Sequence, residues 1–247
     1  MMNRDSNAYT FGFAAAMVVV VASVLAFTAS SLKDLQQENV RKEKMQNILA
    51  TIGIETDRDG AEVLFNDHIV SQLALRNDGS VDEDVDPFSG IKLALELKKD
   101  PSEQRFPLYL ANVKEASYYI IPLRGSGLWD AIWGYIALES DRNTIKGAVF
   151  DHKAETAGLG AEITQQWFMN RFVGEKVFDN DGKLVGISVS KTNNDPKDLD
   201  KDDHEVDAIS GATITGDGVS DMIIERLTHY QSYLTQNQTT TAIAVND

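Results

Sequence analysis

Residues 118–150 read YYIIPLRGSGLWDAIWGYIALESDRNTIKGAVF, and this stretch contains three short apolar or alternating runs separated by turns. The runs are Tyr118–Leu123, Trp133–Leu138 and Thr144–Phe150. Runs of this length, bounded by Gly, Asp, Asn and Ser, are typical of β-strands joined by tight connections. We therefore expect a mixed or antiparallel sheet at the centre of the fold.

Outside these runs, strand patterns extend over residues 61–80 and 107–191, with a hairpin predicted around Asn180–Gly182. Helical spacing occurs at Thr164–Val173 and at Gly218–Leu234. The second of these segments places six large residues on one face, namely Val219, Met222, Ile223, Leu227, Tyr230 and Leu234. A sheet with flanking helices makes α+β the most economical fold class.

The composition excludes several kinds of function. The 247 residues carry a net charge of −15, which disfavours binding to nucleic acid or to anionic lipid by charge. The absence of cysteine excludes disulfides, cysteine-ligated iron–sulfur clusters and thiol catalysis within the chain. The four histidines are scattered, and Asp179–Gly182 lacks the later glutamate of a calcium loop, so no metal site is predicted.

An uncharged apolar run from Phe11 to Ser31 has the length of about 20 residues that a helix needs to cross a bilayer. A secretory signal peptide is the alternative, but its apolar part usually spans only about 7–15 residues. Helical spacing continues after the run, and Gly53 is predicted to end it. We expect an N-terminal segment with a transmembrane helix (1–32), a helical linker (33–60), a soluble domain (61–234) and a flexible tail (235–247).

The charges beside the anchor give a weak indication of orientation. Four cations, Lys33, Arg41, Lys42 and Lys44, follow the apolar run, whereas only Arg4 and the amino terminus precede it. The positive-inside rule would keep the soluble domain in the cytoplasm, although large domains often translocate regardless of such charges.

A hydroxyl-rich motif, DAISGATIT, occupies Asp207–Thr215 just before the last helical segment. Backbone N–H groups at a helix start lack intrahelical partners and carry partial positive charge, so they can bind phosphate. The alternative interpretation is that one of these hydroxyls, or Asp217, only caps the helix. Spacing alone favours the cap.

Two glycine-rich turns favour a ligand instead. One contains Thr156-Ala-Gly158-Leu159-Gly160, and the other contains Gly125, Gly127, Leu128 and Trp129. Each turn alone is weak evidence, and Trp129 and Leu159 are equally compatible with ordinary core packing. Together with the hydroxyl motif, the two turns suggest a flat, phosphorylated cofactor.

Four blocks of this sequence resemble the family of C subunits of the sodium-translocating NADH:quinone oxidoreductases. They are LKDLQQENV after the anchor, GSGLWDAIWGYIAL, DHKAETAGLGAEI and HEVDAISGATIT. The last is similar to that family's flavinylation signature, D-x-x-S/T-G-A-T/S-x-T/S. One departure is Ala157, where the family usually has proline, and this suggests a less preorganised turn.

The resemblance implies that Thr215 carries FMN through a phosphoester bond. Asp207, Ser210, Gly211, Ala212 and Thr213 match the rest of the signature, which is read by a flavin transferase that uses FAD and magnesium. The flavin ring would be lined by Thr156, Gly158, Leu159, Gly160, Leu128 and Trp129. For Glu155 and His152 we favour a role in holding the turn, and no catalytic residue is predicted.

The function implied is electron relay. The FMN would pass electrons between redox centres of partner subunits, within an assembly that oxidises NADH, reduces ubiquinone and moves sodium. The family places its single-pass subunit in the bacterial inner membrane with the soluble domain in the periplasm, and we follow the family over the charge count.

Three alternatives remain open at this point. A related flavoprotein subunit of Rnf-type ferredoxin:NAD oxidoreductases shares the signature, although the GLWDAIWGYIAL block and the insert around residues 78–104 favour the sodium enzyme. A non-redox, anchored module that binds a small ligand is the second, and a structural assembly subunit is the third.

Overall fold

The computed structural model describes residues 6–197 and 199–236, so most of the predicted tail, from residue 237 onward, lies outside the described residues. The chain divides into an N-terminal unit that ends at Lys44 and a larger unit that begins at Met45.

The first element is a single α-helix, α1, which spans Asn7–Thr51. Its most apolar 18-residue window has a mean hydropathy of 2.3, and none of that window is buried. By length and composition this helix is able to cross a membrane. Phe11 and Phe27 of this helix are 74% and 75% exposed, and exposed aromatic rings of this kind are typical of a helix that faces lipid.

The end of α1 is set by Gly53, as predicted. Gly53 adopts a positive φ of 79°, and its N–H donates to Ala50 O at 3.0 Å. The N–H of Ile54 donates to Leu49 O at 3.1 Å, which completes a Schellman motif. The expected linker from residue 33 to residue 60 is therefore helical only to Thr51.

The centre of the larger unit is a five-stranded sheet in which neighbours along the chain are neighbours in space. All four strand pairs are antiparallel. The strands are β1 Ile69–Leu75, β2 Phe106–Val113, β3 Ala116–Ser126, β4 Ala131–Leu138 and β5 Ile145–His152. The three runs within residues 118–150 are thus confirmed as β3, β4 and β5 of this sheet, and the α+β class is confirmed.

Some local expectations were wrong. Ala61–His68 is a helix, α2, rather than a strand, because its buried residues Ala61 and Phe65 are four apart and so share a helix face. The hairpin around Asn180–Gly182 is reduced to a turn with one bridge, between Phe178 and Leu184.

The remaining elements are short except for the last. A helical turn, α3, spans Leu93–Glu96. The predicted helix over Thr164–Val173 is interrupted at Gln165, whose backbone is extended, so that a 3-10 turn (Gly160–Thr164) precedes α4 (Gln166–Met169). Two-residue strands β6 (Ser188–Val189) and β7 (Glu205–Val206) pair in parallel, and α5 then spans Thr213–Thr235.

Each face of the sheet is covered by a separate apolar cluster. Alternation along β3 sends Ile121 to the cluster under α5 and Ile120 to the cluster that contains the end of α1. All six apolar residues predicted for one face of α5 are buried. Burial of such side chains contributes about 1.5–3 kcal/mol each and fixes α5 across the sheet.

His229 of α5 is held against this sheet as a neutral imidazole. Its ring stacks on Phe106 with centroids 4.0 Å apart, and its Nδ1 donates to Asn77 Oδ1 at 2.9 Å. Burial, and secondarily the charge of Arg226, lowers the pKa of His229 from 6.5 to about 4.

This lowered pKa predicts a loss of stability in acid. Between pH 6.5 and about 4 the unfolded chain binds a proton at His229 that the folded chain does not, so stability falls as pH falls. We expect about 1 kcal/mol of such loss, reduced because the ring is partly solvated. Thermal unfolding of the full chain in detergent should show it, and His229→Gln should lack it. An equal acid slope in both proteins would contradict the assignment.

Candidate functional site

The hydroxyl motif leads directly into the first turn of α5, and the helix begins five residues earlier than predicted. Gly211 has a φ of 74°, Ala212 occupies the cap position, and Thr213 is the first helical residue. The first intrahelical bond runs from the N–H of Gly216 to Ala212 O at 2.9 Å. The preceding N–H groups, including that of Thr215, therefore have no intrahelical acceptor.

The helix start has no side-chain cap, so the interpretation of these hydroxyls as capping groups is wrong. The hydroxyl residues instead differ in exposure. Ser210 and Thr213 are exposed, whereas Thr215 retains only 1% of its accessible surface.

Thr215 donates its hydroxyl proton in a hydrogen bond to Glu155. The distance from Thr215 Oγ1 to Glu155 Oε2 is 2.7 Å. The other carboxylate oxygen, Oε1, accepts the backbone N–H of Trp129 at 3.0 Å. One carboxylate thus joins three segments that are distant in sequence: the turn after β3, the turn after β5 and the start of α5.

Two glycines of the glycine-rich turns, Gly127 and Gly160, provide the space that this carboxylate occupies. A Cβ at Gly127 would lie 2.5 Å from Glu155 Oε1. A Cβ at Gly160 would lie 2.5 Å from Thr215 Oγ1 and closer still to Glu155 Oε2. Real Cβ contacts are not this short, so any larger residue at either position would displace the carboxylate or the hydroxyl.

The two glycine-rich turns meet beside this pair. The indole Nε1 of Trp129 donates to Thr156 Oγ1 at 3.2 Å. Leu159 lies over Gly211, where a Cβ would come within 2.8 Å of Leu159 Cδ2. Trp129 and Leu159 nevertheless expose 66% and 40% of their surface, which is unusual for large apolar side chains that only fill a core.

The other predicted site residues lie around this centre. Gly158 is at the exposed tip of the turn with a φ of 75° and no atom near its Cβ position. Asp207 is buried, with its carboxylate 3.6 Å from Arg171 and accepting the N–H of Asp195 at 3.2 Å. Asp207 therefore anchors the loop from within.

Leu128 lies beside the pair rather than against it. With Trp129 it lines a cavity of about 590 Å³ between the turn after β3 and α5, together with Gly218, Met222 and Arg226. Thr215 is not among the residues that line this cavity.

Sequence reasoning assigned Glu155 to the turn and did not connect it with Thr215, which is 60 positions away. The backbone N–H of Glu155 does donate to His152 Nδ1, at 3.1 Å, as a turn-holding pair would. The only sequence indication of its second role was its position immediately before the Thr156–Gly160 turn.

The comparisons with known proteins fall on this same region. Residues 127–228 match the sequence profile of the FMN-binding domain family. The matched range includes Glu155, the whole Thr156–Gly160 turn and Thr215, and it begins within the first glycine turn at Gly127. This match and the fold define a class of protein with an FMN-binding domain and an N-terminal helix that is able, by length and composition, to cross a membrane.

Relatives over the whole chain narrow this class. The C subunit of the Na(+)-translocating NADH-quinone reductase of Pseudomonas aeruginosa is 31% identical over 246 residues, covering 90% of this chain and 92% of that protein. The same subunit of the Vibrio campbellii reductase is 30% identical over 237 residues, with coverages of 88% and 89%.

Two solved structures of such C subunits are also similar to this chain. The crystal structure of the C subunit of the reductase from Parabacteroides distasonis has a TM-score of 0.75 and 36% identity, covering 84% of this chain and 98% of that one. Shewanella oneidensis NqrC has a TM-score of 0.65 and 26% identity, with coverages of 79% and 96%. The chain belongs to the family of C subunits of the Na(+)-translocating NADH-quinone reductases.

Proposed function

We propose that this chain is a membrane-anchored electron-transfer flavoprotein subunit that carries FMN on Thr215 through a phosphoester bond. It would relay electrons within a Na+-translocating NADH:quinone oxidoreductase. The observation that carries the proposal is the Thr215 hydroxyl itself, held at a helix start between two turns with exposed apolar side chains.

The residues of the site fit FMN. An alcohol is the group that a phosphoester requires, and the N–H groups of the first turn of α5 suit the negative phosphate. The exposed faces of Trp129 and Leu159 suit a planar ring, and the hydrogen bond from Trp129 to Thr156 holds the two turns in register. Gly158, with its positive φ, lets the tip of the second turn fold tightly.

When bound, FMN supplies the one- and two-electron chemistry, and the chain supplies position and surroundings. Thr215 would hold the phosphate end, and the exposed side chains of Trp129 and Leu159 would contact the ring. Asp207, paired with Arg171, holds the loop that leads into α5. The signature that the flavin transferase reads would also include Ser210, Gly211, Ala212 and Thr213, and all of these except Ala212 are exposed.

The partners proposed are the other subunits of the complex, the flavin transferase during maturation, and the lipid bilayer around residues 11–31. Partner subunits would supply the centres on either side of the electron relay.

We place the soluble domain in the periplasm, as the family resemblance implies, despite the cations that follow the apolar run. Covalent attachment prevents loss of FMN by dissociation, which suits a domain outside the cytoplasm. Protease added to spheroplasts should degrade the soluble domain, and complete protection would contradict this placement.

The electron relay is testable in the assembled complex. We expect Thr215→Ala to leave assembly intact but to reduce NADH-driven quinone reduction to background, because no flavin would be held at this position. The measurements are the set of subunits recovered after purification and initial rates with NADH and quinone. A fully assembled complex that lacks flavin on this subunit yet retains wild-type quinone reduction would exclude the relay.

A further inference from the structure

We propose that Glu155 is the general base for attachment of FMN to Thr215. The carboxylate takes the hydroxyl proton as the threonine oxygen attacks phosphorus. This inference rests on the proposed attachment of FMN at Thr215.

The geometry is that of a nucleophile with an adjacent base. Glu155 Oε2 lies 2.7 Å from Thr215 Oγ1, within the range of about 2.6–3.2 Å expected between a base and the proton-bearing atom. The carboxylate cannot easily rotate away, because its other oxygen accepts the N–H of Trp129 at 3.0 Å. The backbone N–H of Glu155 donates to His152 Nδ1, which fixes the backbone at this residue.

The surroundings also keep this pair in place. Glu155 retains 8% of its accessible surface, and Thr215 retains 1%. Gly127 and Gly160 lie so close to the two carboxylate oxygens that a Cβ at either position would clash with them. The site therefore holds a carboxylate against a hydroxyl in a confined space, where a neutral side chain of similar length would satisfy packing equally well.

The chemistry explains why the side chain is charged. A threonine hydroxyl is a weak nucleophile until a base removes its proton. In the proposed step Thr215 Oγ1 forms a bond to the phosphorus of the FMN half of FAD, and the bond from that phosphorus to the bridging oxygen breaks. AMP leaves with the electron pair of the broken bond. The proton passes to Glu155 Oε2 and then to solvent, and nothing is oxidised or reduced.

The same pair explains which hydroxyl is chosen. Thr213 is more exposed than Thr215, so accessibility alone would favour Thr213 as the modified residue. Among the described residues, the structure shows a carboxylate hydrogen-bonded to Thr215 and none to Thr213. Thr215 retains 1% of its accessible surface and lies against Glu155 and Gly160, so this part of the site must open before FAD can approach.

The first test is a kinetic comparison of Glu155→Gln with wild type. The full-length chain in detergent is incubated with a purified flavin transferase, FAD and Mg²⁺, and adduct formation is followed by intact mass. Glutamine keeps the length and both hydrogen-bond contacts, with the hydroxyl now accepting. We expect kcat for transfer to fall about 100-fold or more, with an unchanged KM for the chain. Glu162→Gln, a glutamate in the following 3-10 turn, is the matched control and should behave as wild type.

A second variant separates a base from a packing element. Glu155→Ala leaves room for a small molecule, so added formate should restore part of the lost transfer rate. Formamide, which has the same shape but no charge, should not. Equal rescue by both, or no rescue by formate in a folded protein, would overturn the role of Glu155.

The outcomes also distinguish this inference from the proposed function. If wild type acquires no FMN, or acquires it on another residue, the attachment at Thr215 is wrong. If wild type is modified at Thr215 and Glu155→Gln is modified with the same or a higher kcat, only the assignment of Glu155 fails. A higher kcat for flavin transfer would show that Glu155 restrains the Thr215 hydroxyl in an unreactive position.

Discussion

Replacement of Thr215 by alanine is expected to abolish covalently bound flavin completely. The methyl group of alanine has no oxygen to form a phosphoester, and the chain has no cysteine that could form a thioether instead. The structural cost should be about 1.5–3 kcal/mol, because the lost hydroxyl donates to a buried carboxylate. The measurement is flavin fluorescence in a denaturing gel after co-expression with a flavin transferase.

Two matched variants serve as controls for this experiment. Thr215→Ser retains the hydroxyl and should keep its fluorescence, since the signature accepts either residue at this position. Thr213→Ala removes the more exposed hydroxyl of the motif and should leave the adduct on Thr215. If Thr215→Ala stays fluorescent under denaturing conditions while Thr213→Ala loses its fluorescence, the modified residue is Thr213 and not Thr215.

The second large effect is expected from Gly160→Ala. The added methyl group would lie 2.5 Å from Thr215 Oγ1, so either the hydroxyl and Glu155 separate or the turn shifts. Overpacking of this kind typically costs about 1–3 kcal/mol. We expect a lower unfolding temperature and attachment of FMN at least about tenfold slower, because a misplaced nucleophile loses its orientation.

Gly182→Ala is the control for this variant. Gly182 lies in the turn between Phe178 and Leu184 and has a positive φ, so alanine is strained there by about 1–3 kcal/mol, but no atom lies within 4 Å of the Cβ position. The two variants should therefore lose comparable stability, and only Gly160→Ala should lose attachment rate. Similar attachment rates in both would show that the space around the Thr215–Glu155 pair is not critical.

Much of the fold follows from local patterns. The three runs in residues 118–150 predict β3, β4 and β5 because short apolar or alternating runs bounded by turn residues indicate strands without knowledge of tertiary contacts. The apolar face of α5 and the end of α1 at Gly53 are predicted for similar reasons. Ala61–His68 was misassigned because its eight residues are too few to separate helical from strand spacing.

The candidate site is harder to predict than the fold. The hydroxyl motif and the two glycine turns are each visible in sequence, and the structure brings Trp129, Thr156, Leu159, Gly160 and Thr215 to one place. The contact between Glu155 and Thr215 spans 60 residues and depends on how α5 lies across the sheet. No local pattern carries that information, so the carboxylate was assigned to the turn alone. The pairing of Asp207 with Arg171 was missed for the same reason.

The most direct test of the account is peptide mapping of the wild-type chain, purified in full length from cells that contain the flavin transferase. We predict one FMN per chain, bound as a phosphoester and localised by tandem mass spectrometry to Thr215. FMN released intact on denaturation, or localised to Ser210 or Thr213, would contradict the central claim.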